Sequence, residues 1–217
     1  MPLELIRGNA LLLEIPKTGG TFVRNVLTAL GIETREVTNT AAHKHALPRH
    51  IPGLHTYTVR FCFVRHPLEW YRSVWRFDVN YPRKPDNHAR NLAAWQKYPW
   101  HPHTPLTRHI TDSFADTVRA WIKHEPAYCT RLFEQYVGMG HNDCFVGTTE
   151  QLAEHLGDVL RRLGFDAPQE RIDAVPRANE SPGPPLPEWP DDLADAVCGL
   201  ERPIIERFYT GEGSDVG

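Results

Sequence analysis

Ala10-Leu11-Leu12-Leu13-Glu14-Ile15-Pro16-Lys17-Thr18-Gly19-Gly20-Thr21-Phe22 is the stretch on which the reading of this chain turns. Its first six residues are mostly apolar, the pattern of a short strand buried within a parallel sheet. From Phe22 onward, Val23, Val26, Leu27 and Leu30 recur at helical spacing, and Gly31 closes the run. Pro16 to Thr21 is therefore the turn from strand to helix. Gly19 and Gly20 let the backbone pass close to a ligand, and the N–H groups of the first helical turn gather partial positive charge there. Lys17 adds a mobile cation, and Thr18 and Thr21 add hydroxyl groups, so the turn reads as an anion site. The nucleotide P-loop G-x-x-x-x-G-K-[ST] is not matched, because the lysine precedes the glycines and Ile15 stands where its first glycine would fall. A plain Gly-Gly turn is the alternative reading.

With 217 residues and 41% hydrophobic content the chain can bury a substantial core, and one domain spanning residues 1–217 is expected. A formal charge of −3 exerts no overall pull toward nucleic acid or an anionic membrane. Locally, however, Arg60, Arg65, Arg72, Arg76, Arg83, Lys84, Arg90 and Lys97 outnumber Glu69, Asp78 and Asp86, an excess that suits an anionic ligand. Cys62, Cys129, Cys144 and Cys198 form no C-x-x-C pair, so scattered buried thiols are expected rather than a zinc or redox centre. No apolar run approaches the roughly 20 residues of a membrane span, and the first strand leaves no room for a signal peptide. A soluble, cytoplasmic protein is the expectation.

Further along, Glu33 to Thr38 reads as a second strand. His43, His45, His50 and His55 cluster after it, but no carboxylate accompanies them at ligand spacing, and no metal is expected. Thr58 to Val64 is a buried strand run ending at Arg65, and Pro67 opens a helix in which Trp70, Val74 and Phe77 are in phase. Arg65 at the strand end and Ser73 two turns into the helix suit a single phosphate, one by a charged fork and the other by a hydroxyl. Residues 80–112, rich in proline, histidine and tryptophan, read as an acceptor-side loop insertion in which Trp95 and Trp100 offer stacking surfaces. Ser113 is expected to cap a helix carrying Phe114, Val118, Trp121 and Ile122, and a further helix covers Tyr128 to Tyr136. Cys144 to Gly147 forms a late strand. Thr148 or Thr149 then caps a helix with Leu152, Leu156, Val159, Leu160 and Leu163 on one face, ended by Gly164. Pro182 to Pro190 is a surface crossing, Pro203 should divide the terminal helix, and 211–217 is a frayed tail. Alternating strands and helices imply an α/β protein, a P-loop-like three-layer sandwich with a central parallel sheet flanked by helices.

Taken together and in order, these motifs resemble the sulfotransferases that use 3′-phosphoadenosine 5′-phosphosulfate, especially the carbohydrate type and its bacterial relatives. Pro16-Lys17-Thr18-Gly19-Gly20-Thr21 resembles their 5′-phosphosulfate loop, and Lys44-His45-Ala46 resembles a K-H-A segment after the second strand. Val64-Arg65-His66-Pro67 with Ser73 is similar to the 3′-phosphate motif V-R-[ND]-P-x-x-x-x-x-S, with His66 departing from it. Val146-Gly147 with Glu150 and Leu152 matches a V-G-x-x-E-x-L segment. Asn179 and Ser181 match an N-x-S element whose following basic residues are prolines here.

The resemblance implies transfer of a sulfuryl group from that donor to a hydroxyl of a small-molecule or carbohydrate acceptor, without metal, leaving 3′-phosphoadenosine 5′-phosphate. The implied donor site runs through Lys17, Thr18, Gly19, Gly20, Thr21 and Phe22 to Arg65 and Ser73, with Asn179 and Ser181 beyond. Lys17 would stabilise charge on the leaving phosphate, and His45, then His43, then Glu36 are the candidate bases. A P-loop-like phosphotransferase and a non-catalytic nucleotide-binding module are the alternatives, and oligomeric state is not legible.

Overall fold

The computed structural model describes residues 2–37, 45–80, 104–138, 144–177 and 186–210. Packing groups them into two compact units, one drawn from Met1–Arg65 and Phe133–Ser181, the other from His66–Leu132 and Pro182–Ser214.

The first unit is built on a five-stranded sheet. Its strands are β1 (Leu3–Leu5), β2 (Ala10–Leu13), β3 (Thr34–Glu36), β4 (Val59–Val64) and β5 (Cys144–Thr148), in the order β3-β1-β2-β4-β5. β2, β4 and β5 are parallel, with Leu13 opposite Cys62 and Val64 opposite Thr148. β1 runs antiparallel to both of its neighbours. The expected all-parallel sheet is therefore corrected to a mixed one: β3 still runs in the same direction as β2, but β1 lies between them. Leu3-Glu4-Leu5 is too short to show a period, and all three residues are buried, so the strand left no alternation to read. A turn at Ile6 to Asn9 joins it to β2. Asn9 sits there at a φ of 42°, and its side-chain amide donates to the Thr56 carbonyl and the Thr58 hydroxyl, both at 3.0 Å.

Helix α1 (Gly20–Ala29) buries Phe22, Val23, Val26 and Leu27, and α6 (Leu152–Arg162) buries Leu152, Leu156, Val159 and Leu160. Both pack into one cluster with Leu12, Phe61 and Phe63 of the sheet. Each fully buried Leu, Val or Phe contributes about 1.5–3 kcal/mol, so this cluster is the main stabilising element of the unit. The helices end at Gly31 and Gly164 as predicted, with Ile32 N–H bonded to the Leu27 carbonyl and Phe165 N–H to that of Leu160. Threonine capping of α6 is not observed. The chain first turns through Thr149 to Gln151, the Thr148 N–H donates to His155 Nδ1 at 3.0 Å, and the Thr149 hydroxyl donates to Glu150. Nor are the cysteines all scattered: Cys62 and Cys144, far apart in sequence, bring their Sγ atoms to 3.8 Å across β4 and β5.

The second unit is helical. It contains α2 (Pro67–Asn80), α3 (Thr104–Thr107), α4 (Phe114–His124), the start of α5 (Tyr128–Val137), α8 (Asp191–Leu200) and α9 (Arg202–Tyr209); the short α7 (Gln169–Asp173) belongs to the first unit. Ser113 caps α4 as expected, accepting from the Asp116 N–H. Of the expected loop insertion, 81–103, with Trp95 and Trp100, lies outside the described residues, but its final part is core: Leu106 is fully buried and its carbonyl accepts the Trp121 indole N–H at 2.9 Å. Pro203 divides the terminal helix as predicted, falling in the first turn of α9 where its missing N–H breaks no helical bond.

The break places Glu201 inside the unit, where its carboxylate accepts from the Tyr71 hydroxyl at 2.6 Å and from the Cys129 and Thr130 N–H groups at 3.1 and 2.7 Å. It thus caps α5, where the helix dipole favours a negative charge. Burial and the neighbouring carboxylate hold the Tyr71 hydroxyl well above its ordinary pKa, so it stays a donor. Glu201→Ala should lower the unfolding free energy by about 3 kcal/mol in urea denaturation, because it orphans buried donors. A loss below about 1 kcal/mol would show that the carboxylate does not hold α5 in place.

Candidate functional site

The Pro16–Thr21 turn leaves the carboxyl end of β2 and enters α1 directly. The Thr18 hydroxyl is buried and donates to the Ile15 carbonyl at 2.9 Å, closing the turn from inside. Lys17 and Gly19 are both left-handed, with φ of 65° and 84°. Gly19 is the N-cap of α1, and its carbonyl accepts the helix's first bond, from Val23 N–H at 3.2 Å. The N–H groups of Gly20, Thr21 and Phe22 therefore precede the helical ladder and carry the positive end of the dipole. The Phe22 side chain is part of the hydrophobic core, so only its backbone belongs to this terminus. The Thr18 hydroxyl, turned inward, leaves its own N–H as its contribution.

Packing from beneath explains the two glycines. A Cβ on Gly19 would run into Leu152 of α6, and one on Gly20 would lie 2.7 Å from Glu14 Oε1. Lys17 is left-handed as well, a conformation that costs an L-residue about 1–2 kcal/mol. Strain of this kind is concentrated at functional loops.

Beneath the first turn of α1 lies an ion pair that pattern reading passed over. Glu14 is 3% exposed, and Arg24 grips its carboxylate through Nε at 3.0 Å and Nη2 at 2.5 Å while its Nη1 reaches Glu36 at 3.0 Å. These bonds, led by the one to Glu14, raise the arginine's pKa further. Gly20 and Arg24 are one helical turn apart and so share the face that covers Glu14. The signal available in sequence was a carboxylate inside an otherwise apolar run, with an arginine on the following helix.

His45 is brought to the same place. Its Nδ1 lies 2.7 Å from the Glu14 carbonyl, and its own carbonyl accepts the Tyr136 hydroxyl at 2.6 Å. A carbonyl can only accept, so Nδ1 carries the proton and Nε2 is the basic nitrogen. Glu36, the third candidate base, is held by Arg24 and is about half exposed. Arg65 follows the last residue of β4, and the parallel register of β4 with β2 puts it at the same carboxyl edge as the turn. Ser73 lies in the second turn of α2, in the second unit. His43, Asn179 and Ser181 lie outside the described residues. Among the described residues no group of three or more His, Cys, Asp or Glu side chains is placed to hold a metal ion, and no helix is long and apolar enough to cross a membrane.

No protein-family model, curated protein or solved structure gives a significant match to the chain.

Arg24→Met would leave Glu14 buried without its cation and should cost about 3–5 kcal/mol in chemical denaturation. The double variant Glu14→Leu, Arg24→Met should recover most of that loss. If the double variant were no more stable than Arg24→Met alone, the buried pair would not be the source of the effect.

Proposed function

We propose that this chain is a sulfotransferase with a P-loop-like phosphate-binding turn, taking 3′-phosphoadenosine 5′-phosphosulfate as donor and a hydroxyl-bearing small molecule or glycan as acceptor. The observation that carries the reading is the turn itself, where a left-handed Lys17 and N-cap Gly19 open α1 at the carboxyl edge of parallel strands, beside a histidine of defined tautomer. Ligands of α/β sheets bind at that edge.

The residues present fit such a donor. The N–H groups of residues 18–22 and the Lys17 ammonium supply hydrogen bonds and positive charge to a phosphate, and Arg65 supplies a planar cation at the same edge for the second phosphate that sets this donor apart from ATP. In the transfer, the acceptor oxygen forms a bond to sulfur as the bond from sulfur to the donor's phosphate oxygen breaks. Lys17 and the amides of the turn stabilise the charge that collects on that phosphate, and His45 Nε2 takes the acceptor's proton. The two bonds that hold His45 orient the imidazole before the acceptor arrives.

Thermal unfolding with 3′-phosphoadenosine 5′-phosphate, with ADP, and with ATP plus Mg²⁺ tests the donor assignment. At about 100 times its dissociation constant a ligand adds about 2.7 kcal/mol, a rise of roughly 5 to 10 °C for a chain of this size. A shift confined to the 3′-phosphorylated nucleotide and lost in Arg65→Ala is expected. A shift with ATP and Mg²⁺ alone would replace the proposal with a phosphotransferase. With an acceptor in hand, Lys17→Ala should lower turnover about 10²- to 10³-fold and His45→Ala about 10²- to 10⁴-fold, the latter with nucleotide binding intact. Unchanged turnover in either variant would remove that residue from the chemistry.

A further inference from the structure

Two of the four cysteines meet in the folded chain. Cys62 of β4 and Cys144 of β5 are 82 residues apart in sequence, yet their Sγ atoms lie 3.8 Å from one another. Cys144 stands opposite Arg60 in the parallel register, and Arg60 and Cys62 are next-but-one neighbours on β4, so both thiols face the same side of the sheet. Cys62 is fully buried, whereas Cys144 is partly exposed and forms part of the wall of a cavity of about 230 Å³. A water molecule takes up about 30 Å³ of the liquid, so a reagent of two or three heavy atoms fits that space. One sulfur is open to such a reagent, and the other lies behind it.

The other two thiols are poorer reactants. Burial, and after it the Glu201 carboxylate, pushes the Cys129 thiol well up and keeps it protonated. Burial and Asp195 push the Cys198 thiol up as well. The thiolate is the reactive form, so both are disfavoured as nucleophiles. No C-x-x-C spacing announces the Cys62–Cys144 pair, because the register of β4 with β5 is what creates it.

We propose that Cys62 and Cys144 form a reversible dithiol site whose oxidant is a small hydroperoxide. The Cys144 sulfur attacks the O–O bond of hydrogen peroxide and takes one oxygen as a sulfenic acid, and the other oxygen leaves as water. The Cys62 sulfur then bonds to the Cys144 sulfur as the S–OH bond breaks, and the Cys62 proton leaves with the hydroxide as a second water. The two thiols together give two electrons to one peroxide, and a thiol reductant returns them. Cys144 is the first residue of β5, so the approach from 3.8 Å to the roughly 2 Å of a disulfide is taken up at the end of the ladder rather than within it. The link closes a loop of chain that contains the second unit's segment His66–Leu132. This site stands independently of the sulfotransferase reading.

Peptide mapping without reductant, on the full chain treated with hydrogen peroxide and then alkylated, tests the site. A Cys62–Cys144 link is expected, forming at least about ten-fold faster than any oxidation of Cys129 or Cys198, and dithiothreitol should reverse it. In urea the preference for that pairing should vanish, because the sheet that creates it is gone. Cys62→Ser removes the second thiol, so dimedone, which traps sulfenic acids, should label Cys144. In Cys144→Ser, Cys62 should stay unlabelled and unlinked. The map of the unaltered chain stands whether or not these variants fold. Four free thiols after peroxide, oxidation of Cys129 or Cys198 at a comparable rate, or equal pairing in urea would overturn the proposal. So would Cys144 carried on to the sulfinic acid while Cys62 remains a thiol.

Discussion

A carboxylate cannot be sealed inside a protein without a cation or several donors beside it, and both units of this chain are organised around that constraint. In the first unit the carboxylate is Glu14, at the carboxyl end of β2 and under the first turn of α1. Arg24 is its partner, and the pair sets how close α1 lies to the strand, since only a residue without Cβ fits at position 20 above Glu14. The Gly-Gly of the turn is thus as much a packing requirement as a feature of ligand approach. What remains at the surface of the turn is backbone together with the partly exposed Lys17 and Thr21.

In the second unit the same constraint is met without an arginine. Glu201 satisfies its oxygens with a tyrosine hydroxyl and two N–H groups at the start of α5. One residue serves as helix cap and as the cross-tie between the break in the terminal helix and α2. The proline two positions later falls in the first turn of α9, where the terminal helix divides.

Strong periodic signals translated directly. The apolar runs of β2 and β4, the helical spacing of Phe22 to Leu27 and of Leu152 to Leu160, the Ser113 cap and the glycine ends at 31 and 164 all stand where spacing put them, because each depends on neighbours within one or two turns. β1 was invisible because three buried residues have no period, and missing it turned a mixed sheet into a parallel one. The caps expected from Thr148 and Thr149 failed for a related reason: an intervening turn shifts the helix start, and a sequence does not reveal how the backbone leaves a strand.

By itself, then, the sequence determined the α/β character and the strand-turn-helix around Lys17, since these follow from local spacing; His45 became a candidate through the resemblance carried by Lys44-His45-Ala46. Only the tertiary structure decided that Glu14 pairs with Arg24, that His45 Nδ1 is bonded to the Glu14 carbonyl, that Thr18 faces inward, and that Leu13, Arg60, Tyr136 and Cys144 line one cavity. Each of these joins residues separated along the chain or depends on which way a side chain turns. Burial sets their cost and their value, and burial is a property of the folded whole.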